Sequence, residues 1–136
     1  MKTKENIFTI HPMESLNILT LIMPPKLLTK QNLRKIYKLC ASLPPFNEYQ
    51  MPQPHKIQFS VIDTNEVFGY FHTEPMRIEI DKMCDSFDHI FQTMMHECIH
   101  VALYKANHSD FDQHEMKFNK IAKRICDLYN FNLEDF

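Results

Sequence analysis

The amino-acid sequence predicts an α+β domain in which a small antiparallel three-stranded meander packs against helices. Three observations carry this prediction: short segments of alternating apolar residues between positions 57 and 81, an amphipathic segment before them, and two long helical segments after them. A chain of 136 residues is long enough to bury a core without disulfides or structural metals. We therefore expect one domain over residues 1–136, with residues 1–28 as an N-terminal extension whose structure stays open.

The N-terminal region gives the weakest signal for secondary structure. Apolar stretches at residues 7–10 and 16–23 are each compatible with a strand, although Ser15 would also cap a short helix. Thr29 is a suitable N-cap for an amphipathic helix over residues 30–43. The basic face of this helix, which includes Arg34, is typical of solvated surface, and contact with DNA is the weaker interpretation.

Residues 43–55 hold half of the prolines, so they predict a loop rather than a helix or a central strand. Its apolar residues Phe46, Tyr49 and Met51 either are exposed and contact a peptide, or pack the loop against the domain.

Three segments then alternate in the manner of strands, at residues 57–62, 67–72 and 76–81, with turn residues at 63–66. Joined in chain order, they predict the antiparallel meander, with one apolar face covered by helices. His72 lies on the second strand, where it either runs beside the next helix or faces solvent.

The segment from Asp85-Ser86 to about Ala106 predicts a helix that is apolar on most sides and therefore buried. It contains His96-Glu97-Cys98-Ile99-His100. Residues four apart share one face of a helix, so both imidazoles can reach one metal ion, with the Glu97 carboxylate beside them as a general base. Buried histidines satisfied by ordinary hydrogen bonds are the alternative.

The candidates for a third metal ligand follow the motif helix. They are His108, Asp110, Asp112, His114 and Glu115. If the helix continued, His108 would lie about 12 Å along the axis from His96, too far to share an ion unless the chain turned back. His114 is expected in the first turn of the last helix, on its inward stripe, and is favoured, with Glu115 and Asp110 as alternatives.

Composition argues against several classes of function. The net charge is −2 with no basic run, so nucleic-acid binding through phosphates is not supported by charge, although a local Lys/Arg patch in the fold would still allow it. The four cysteines form no Cys-x-x-Cys pair and are expected to be reduced and buried. We find no secretory signal pattern and no membrane-spanning segment, and we expect a cytoplasmic protein without membrane contact.

The two histidine-containing segments together resemble the SprT-like (Spartan-type) zinc metallopeptidase domain. The resemblance rests on the His-Glu-x-x-His helix and on His114-Glu115-Met116-Lys117-Phe118, and it covers about residues 30–130. It implies zinc (Zn2+) held by His96, His100 and His114, with Glu97 as the catalytic base. Glu115 stands where the family usually has glycine, and these 136 residues contain no cysteine pairs of the kind found in the C-terminal zinc ribbon of many members, which weakens the expectation of DNA-linked substrates.

These features predict a zinc-dependent endopeptidase that acts on a protein or peptide substrate. The edge of the meander would pair with an extended substrate by strand addition, and Tyr104 and His72 are candidates for stabilising the oxyanion. The alternative is a small viral or regulatory interaction protein in which zinc serves stability and no proteolysis occurs.

Overall fold

The computed structural model describes residues 26–136, so the stretches at 7–10 and 16–23 lie outside the described residues. The predicted α+β class is confirmed, and none of the helices in the described part is long and apolar enough to cross a membrane. The main elements are α1 (Lys30–Ser42), β1 (Gln58–Ile62), β2 (Gly69–His72), β3 (Arg77–Asp81), α2 (Phe87–Lys105) and α3 (Met116–Tyr129). Short 3-10 turns occur at Phe46–Glu48, Pro54–Lys56 and Leu133–Asp135.

Helix α1 begins and ends where its sequence requires. Thr29 is the predicted N-cap, and its hydroxyl oxygen accepts a hydrogen bond from the backbone N–H of Asn32 at 3.1 Å. The helix ends at Ser42, just before a proline pair that cannot continue it. Its apolar stripe packs inward through Leu33, Ile36, Tyr37 and Cys40.

The sheet is mixed, so the antiparallel meander predicted for all three strands is wrong. The strand order is β1-β3-β2, with β1 parallel to β3 and β2 antiparallel to β3. Alternation of apolar residues determines which face of a strand is buried, but it does not determine which strands are neighbours. β3 carries the fully buried Ile78 and Ile80 and is the central strand of the sheet. Along the chain β2 comes between β1 and β3, but in the sheet it is an edge strand.

Helix α2 lies against the sheet and both other helices, contacting α1, α3, β2 and β3. It is buried on most sides, as its composition predicts, and its buried set includes polar residues of the motif. The four cysteines are also buried and unpaired, as expected. The core therefore forms around the helix that carries the histidines.

The proline-rich loop packs against the domain through its aromatic residues. Phe46 is fully buried, and Tyr49 and Met51 are partly buried against the core, which confirms the alternative that these residues pack the loop against the domain. The hydroxyl of Tyr37 donates to the backbone oxygen of Pro52 at 2.7 Å. The loop packs on α1 because burying its rings is more favourable than exposing them to solvent.

Asp81, at the end of β3, fixes the connection that leads into β2. Its buried carboxylate accepts hydrogen bonds from Thr64 N at 2.7 Å, Thr64 Oγ1 at 2.9 Å, Asn65 N at 3.2 Å and Met83 N at 3.0 Å. Hydrogen bonds to the charged form, led by that from the Thr64 backbone, lower the pKa of Asp81 to about 2 despite its burial.

We expect Asp81→Asn to destabilise the fold, because an amide replaces one acceptor oxygen with a donor that faces the loop N–H groups. A lowered folded-state pKa adds stability above the unfolded value near 3.9, and this stability is lost as the pH falls toward about 2. Thermal unfolding at neutral and acid pH should therefore show a lower midpoint for Asp81→Asn, with the difference from wild type shrinking in acid. Asp63→Asn, at an exposed site in the same connection, is the control. Equal midpoints for the two variants would contradict this role.

Candidate metal centre

Helix α2 presents the motif from inside the core. Ser86 caps the helix by accepting a hydrogen bond from His89 N at 3.1 Å, and the helix then runs without a break to Lys105. Glu97 and His100 are buried, and His96 is half-buried. A continuous helix held on most sides by packing gives these three side chains a rigid support.

Three imidazole rings converge on one point. His114 Nε2 lies 3.2 Å from His96 Nε2 and 3.2 Å from His100 Nε2. All three ligand nitrogens lie within 4.8 Å of one another, the one such group of His, Cys, Asp or Glu found among residues 26–136. Nitrogens bound tetrahedrally to one zinc ion lie about 3.3 Å apart, which is close to the two short separations.

The other ring nitrogen of each helix histidine is held by a backbone oxygen. His96 Nδ1 donates to the oxygen of Phe136 at 2.6 Å, and His100 Nδ1 donates to the oxygen of Phe111 at 2.7 Å. A carbonyl oxygen only accepts, so the proton of each neutral ring is on Nδ1. The lone pair of each Nε2 therefore faces the point of convergence, as metal-binding histidines require.

This arrangement fits a metal ion and does not fit a hydrogen-bonded cluster. The Nε2 atoms of His96 and His100 are both acceptors, whereas His114 Nε2 carries at most one proton and can donate to only one of them. The remaining contact brings two nitrogens together with no proton between them. A cation at that point satisfies all three lone pairs, and imidazole nitrogen suits zinc and several other transition metals.

His114 reaches the site from the connection before α3. The prediction that it lies in the first turn of the last helix is wrong, because α3 begins at Met116 and the exposed His114 precedes the N-cap, Glu115. Phe111 fits the helical spacing of apolar residues but lies in the connection before α3. Its ring packs against Phe71 of β2, with centroids 6.3 Å apart. Phe118, in the first turn of α3, supports all three imidazoles, with ring centroids 4.4–4.9 Å away.

The other sequence candidates lie outside the cluster. His108 Nδ1 accepts a hydrogen bond from Lys117 Nζ at 2.9 Å, and neither Asp110 nor Glu115 belongs to the group of converging ligands. Asp112 lines a cavity beside the histidines but is not one of the converging ligands.

His72 and Tyr104, the two residues suggested to stabilise the oxyanion, do not line the cavities beside the histidines. His72 Nε2 lies 2.7 Å from Glu79 Oε1 across the sheet, so its ring is hydrogen-bonded to the sheet and not placed at the histidine cluster. The Tyr104 ring packs on Phe71 and Phe111, at 5.8 Å and 5.0 Å between centroids.

Burial changes the protonation of the motif. Burial, with smaller contributions from His100 and His114, lowers the pKa of His96 to about 4, and burial also lowers the pKa of His100. Both rings are therefore neutral near pH 7, the form that binds metals. Burial raises the pKa of Glu97 to about 8, because it removes the charged carboxylate from water.

Gly69, the chain's single glycine, allows β2 to approach the motif helix closely. A Cβ at this position would lie 2.9 Å from Thr93 Cγ2, 3.0 Å from the Glu79 backbone oxygen and 3.2 Å from Glu97 Oε2. Sequence reasoning missed this residue as part of the site. The available signal was a lone glycine inside a predicted strand, which often marks close approach of another group.

A groove runs along β2 past the histidines. Two cavities of about 220 Å³ each share Val67, Gly69, His96, Glu97 and His114 in their lining, so they meet at the motif. One extends toward Phe68, His89, Gln92, Thr93, Asp135 and Phe136, and the other toward Tyr70, Phe71, His100 and Asp112. Glu97 lines both cavities and therefore lies where they meet.

A buried His-Glu-x-x-His helix, a third histidine from the next connection and a three-stranded sheet beside them define a zincin-like α+β domain. The model of the SprT-like family matches residues 43–135. The chain belongs to the SprT-like family, as the two histidine segments indicated. No curated protein and no solved structure matches the chain.

We expect Gly69→Ala to lower the free energy of unfolding by about 1–3 kcal/mol, because the added methyl group overpacks the contact between β2 and α2. Thr93→Ser removes the nearest atom and keeps the hydroxyl that lies 3.5 Å from Cys84 Sγ. The double variant should therefore recover part of the loss, and denaturant unfolding measures all three. An alanine variant as stable as wild type would show that the approach is not tight.

The raised pKa of Glu97 predicts that stability depends on pH in the metal-free protein. A carboxyl with a raised folded-state pKa contributes stability below its unfolded pKa, and this stability is lost as the pH rises through about 8. His96, whose pKa is lowered, acts in the opposite direction only below its unfolded value near 6.5.

Denaturant unfolding of metal-free protein should therefore show stability falling by about 2 kcal/mol between pH 6.5 and 8. Glu97→Gln cannot ionise and should remove this slope. The same slope in the variant would assign it to another group.

Proposed function

We propose that this protein is a zinc-dependent endopeptidase in which His96, His100 and His114 hold the metal and Glu97 is the general base. One observation carries the proposal: three Nε2 lone pairs converge beside a buried carboxylate, on the wall of a groove made of two adjoining cavities of about 220 Å³ each. Membership of the SprT-like family supports a metallopeptidase-type domain.

The donor set favours zinc with an open position. Three protein ligands plus one exchangeable position are typical of catalytic zinc, whereas structural zinc is usually closed by four protein ligands. No fourth His, Cys, Asp or Glu joins the three histidines within the described part of the chain. The cleft approaches the cluster from the β2 side, so water and substrate have access.

When bound, zinc acts as a Lewis acid toward water and toward a peptide carbonyl. A positive charge beside Glu97 favours its ionised form and lowers its raised pKa, so the carboxylate becomes able to accept a proton. Glu97 would take a proton from the attacking water at a carboxylate oxygen and deliver it to the leaving amine. Gly69 leaves room for that carboxylate against β2.

The edge of β2 supplies a surface for the substrate. Within the described sheet β2 pairs only with β3, and the chain from Val67 to Phe71 lines the groove. An extended peptide would add as a strand along this edge. Val67, Phe68 and Tyr70 are each nearly half exposed, which favours apolar side chains in the substrate.

A small interaction module without proteolysis, viral or regulatory, is the second candidate. The metal ligands come from α2 and from the connection before α3, so a bound ion would tie separate segments together and stabilise the fold. The exposed apolar residues along the groove would then bind a partner that is not cleaved.

The cysteines support a proposal for the cellular setting, and the net charge supports one for the partner. Four buried, unpaired cysteines favour a reducing, cytoplasmic environment. With a net charge of −2, a protein or peptide is a better candidate partner than nucleic acid.

Metal analysis combined with Glu97→Gln separates the two functions. We expect one zinc ion per chain in both wild type and Glu97→Gln, and a loss of peptidase activity of about 100-fold or more in the variant, because proton transfer by the base is removed. Glu66→Gln, the same change at an exposed site, serves as the control and should keep full activity.

Two results would contradict the peptidase assignment. A purified protein without stoichiometric zinc removes both candidate functions, because each depends on the metal. Zinc-loaded protein in which Glu97→Gln retains full biological activity favours the interaction module instead.

A further inference from the structure

Segment 131–136 lies against the outer side of the metal centre. The backbone oxygen of Phe136 accepts the hydrogen bond from His96 Nδ1 at 2.6 Å, and the backbone oxygen of Asp135 accepts one from Gln92 Nε2 at 3.2 Å. Gln92 and His96 are four residues apart and therefore lie on the same face of α2. Two successive carbonyls of the segment thus bind two successive turns of the motif helix.

Aromatic packing fixes the segment in this position. The Phe131 and Phe136 rings stack at 6.0 Å between centroids with 16° between their planes, and Phe131 packs edge-on against Phe91 of α2 at 5.9 Å. The Phe136 ring also lies 5.4 Å from the His96 ring. The Phe136 ring therefore contacts the rings of both Phe131 and His96, and these contacts fix the position of its backbone oxygen.

The segment also has its own internal hydrogen bonds. Asn130 ends α3 in the left-handed conformation at φ 60°, which turns the chain back toward α2. Asn132 Oδ1 accepts from Glu134 N at 3.1 Å, and the Asn132 carbonyl accepts from Asp135 N at 3.0 Å. After α3 the chain therefore turns back toward α2, and its own hydrogen bonds hold residues 132–135 in a defined conformation.

We propose that segment 131–136 is a positioning element for His96, setting its tautomer and ring orientation through the Phe136 carbonyl. The inference rests on the proposed metal-binding function in so far as it concerns zinc affinity. With the proton held on Nδ1, the Nε2 lone pair points toward His100 and His114; without this acceptor, the proton is free to move to Nε2 and block the ligand atom.

The same logic already operates at His100. Its Nδ1 acceptor is the carbonyl of Phe111, in the connection that carries His114. Segment 131–136 plays the equivalent part for His96, so each helix histidine is oriented by a different piece of chain outside α2. Partners of this kind typically contribute 10–100-fold to metal affinity.

The first test measures the tautomer of His96 in the metal-free protein by long-range proton–nitrogen NMR at mildly alkaline pH. Wild type and Glu134→Ala should show the proton on Nδ1, because alanine keeps the backbone N–H that bonds Asn132. Deletion of residues 132–136 should give a mixture of tautomers. A deletion variant that folds and still has the proton on Nδ1 would overturn the proposal.

The second test measures zinc affinity by competition with a chelator. The deletion should weaken zinc binding by about 10–100-fold, Gln92→Ala by roughly threefold through a less well held segment, and Glu134→Ala not at all. If circular dichroism shows that the deletion variant is unfolded, Gln92→Ala decides, and unchanged affinity and tautomer there would refute the positioning role.

The two proposals can fail separately. A wild-type protein without peptidase activity leaves the tautomer result untouched, because that measurement needs neither metal nor substrate. An active peptidase whose His96 tautomer and zinc affinity ignore the segment would refute only the positioning role.

Discussion

The hydrogen bonds from His96 and His100 to backbone carbonyls are the interactions on which the site depends. Each fixes a proton on Nδ1 and so aims an Nε2 lone pair at the position shared with His114. The helix alone does not do this, because it places the rings on one face without choosing their tautomers. The rest of the fold supplies the acceptors: the connection before α3 carries one, and the return after α3 carries the other.

Close packing makes this arrangement rigid. Phe118 supports all three imidazoles from α3, while Gly69 brings β2 against the other side of the motif. Tight interiors resist small displacements, so ligand atoms held in this way keep their separations. The groove then follows from the fold, since the strand that approaches the helix most closely also presents its edge and its exposed apolar side chains to the histidines.

The sequence predicted what local periodicity controls. Thr29 capped α1, the apolar residues around the motif buried α2, and the strands appeared close to the expected positions. It failed where distant segments meet. Alternation could not reveal that β1 pairs parallel with β3, and the helical spacing of Phe111 and His114 continued through a connection that is not helical. The carbonyls of Phe111 and Phe136 had no sequence signal, because every residue has a backbone oxygen.

One positive charge resolves two separate conflicts in the metal-free site. His114 Nε2 lies 3.2 Å from the Nε2 atoms of both His96 and His100, but a single proton can bridge only one of these contacts. The buried Glu97 carboxyl has a pKa of about 8 and is mostly protonated at neutral pH. A protonated Glu97 donates a hydrogen bond and cannot act as a base. A cation held by the histidines satisfies the first requirement and ionises the glutamate by the same charge. Because the coupling is reciprocal, ionised Glu97 also strengthens the binding of the cation. The residues proposed to hold the metal and the residue proposed to use it thus form one electrostatic unit, in which a bound cation favours the ionised form of Glu97.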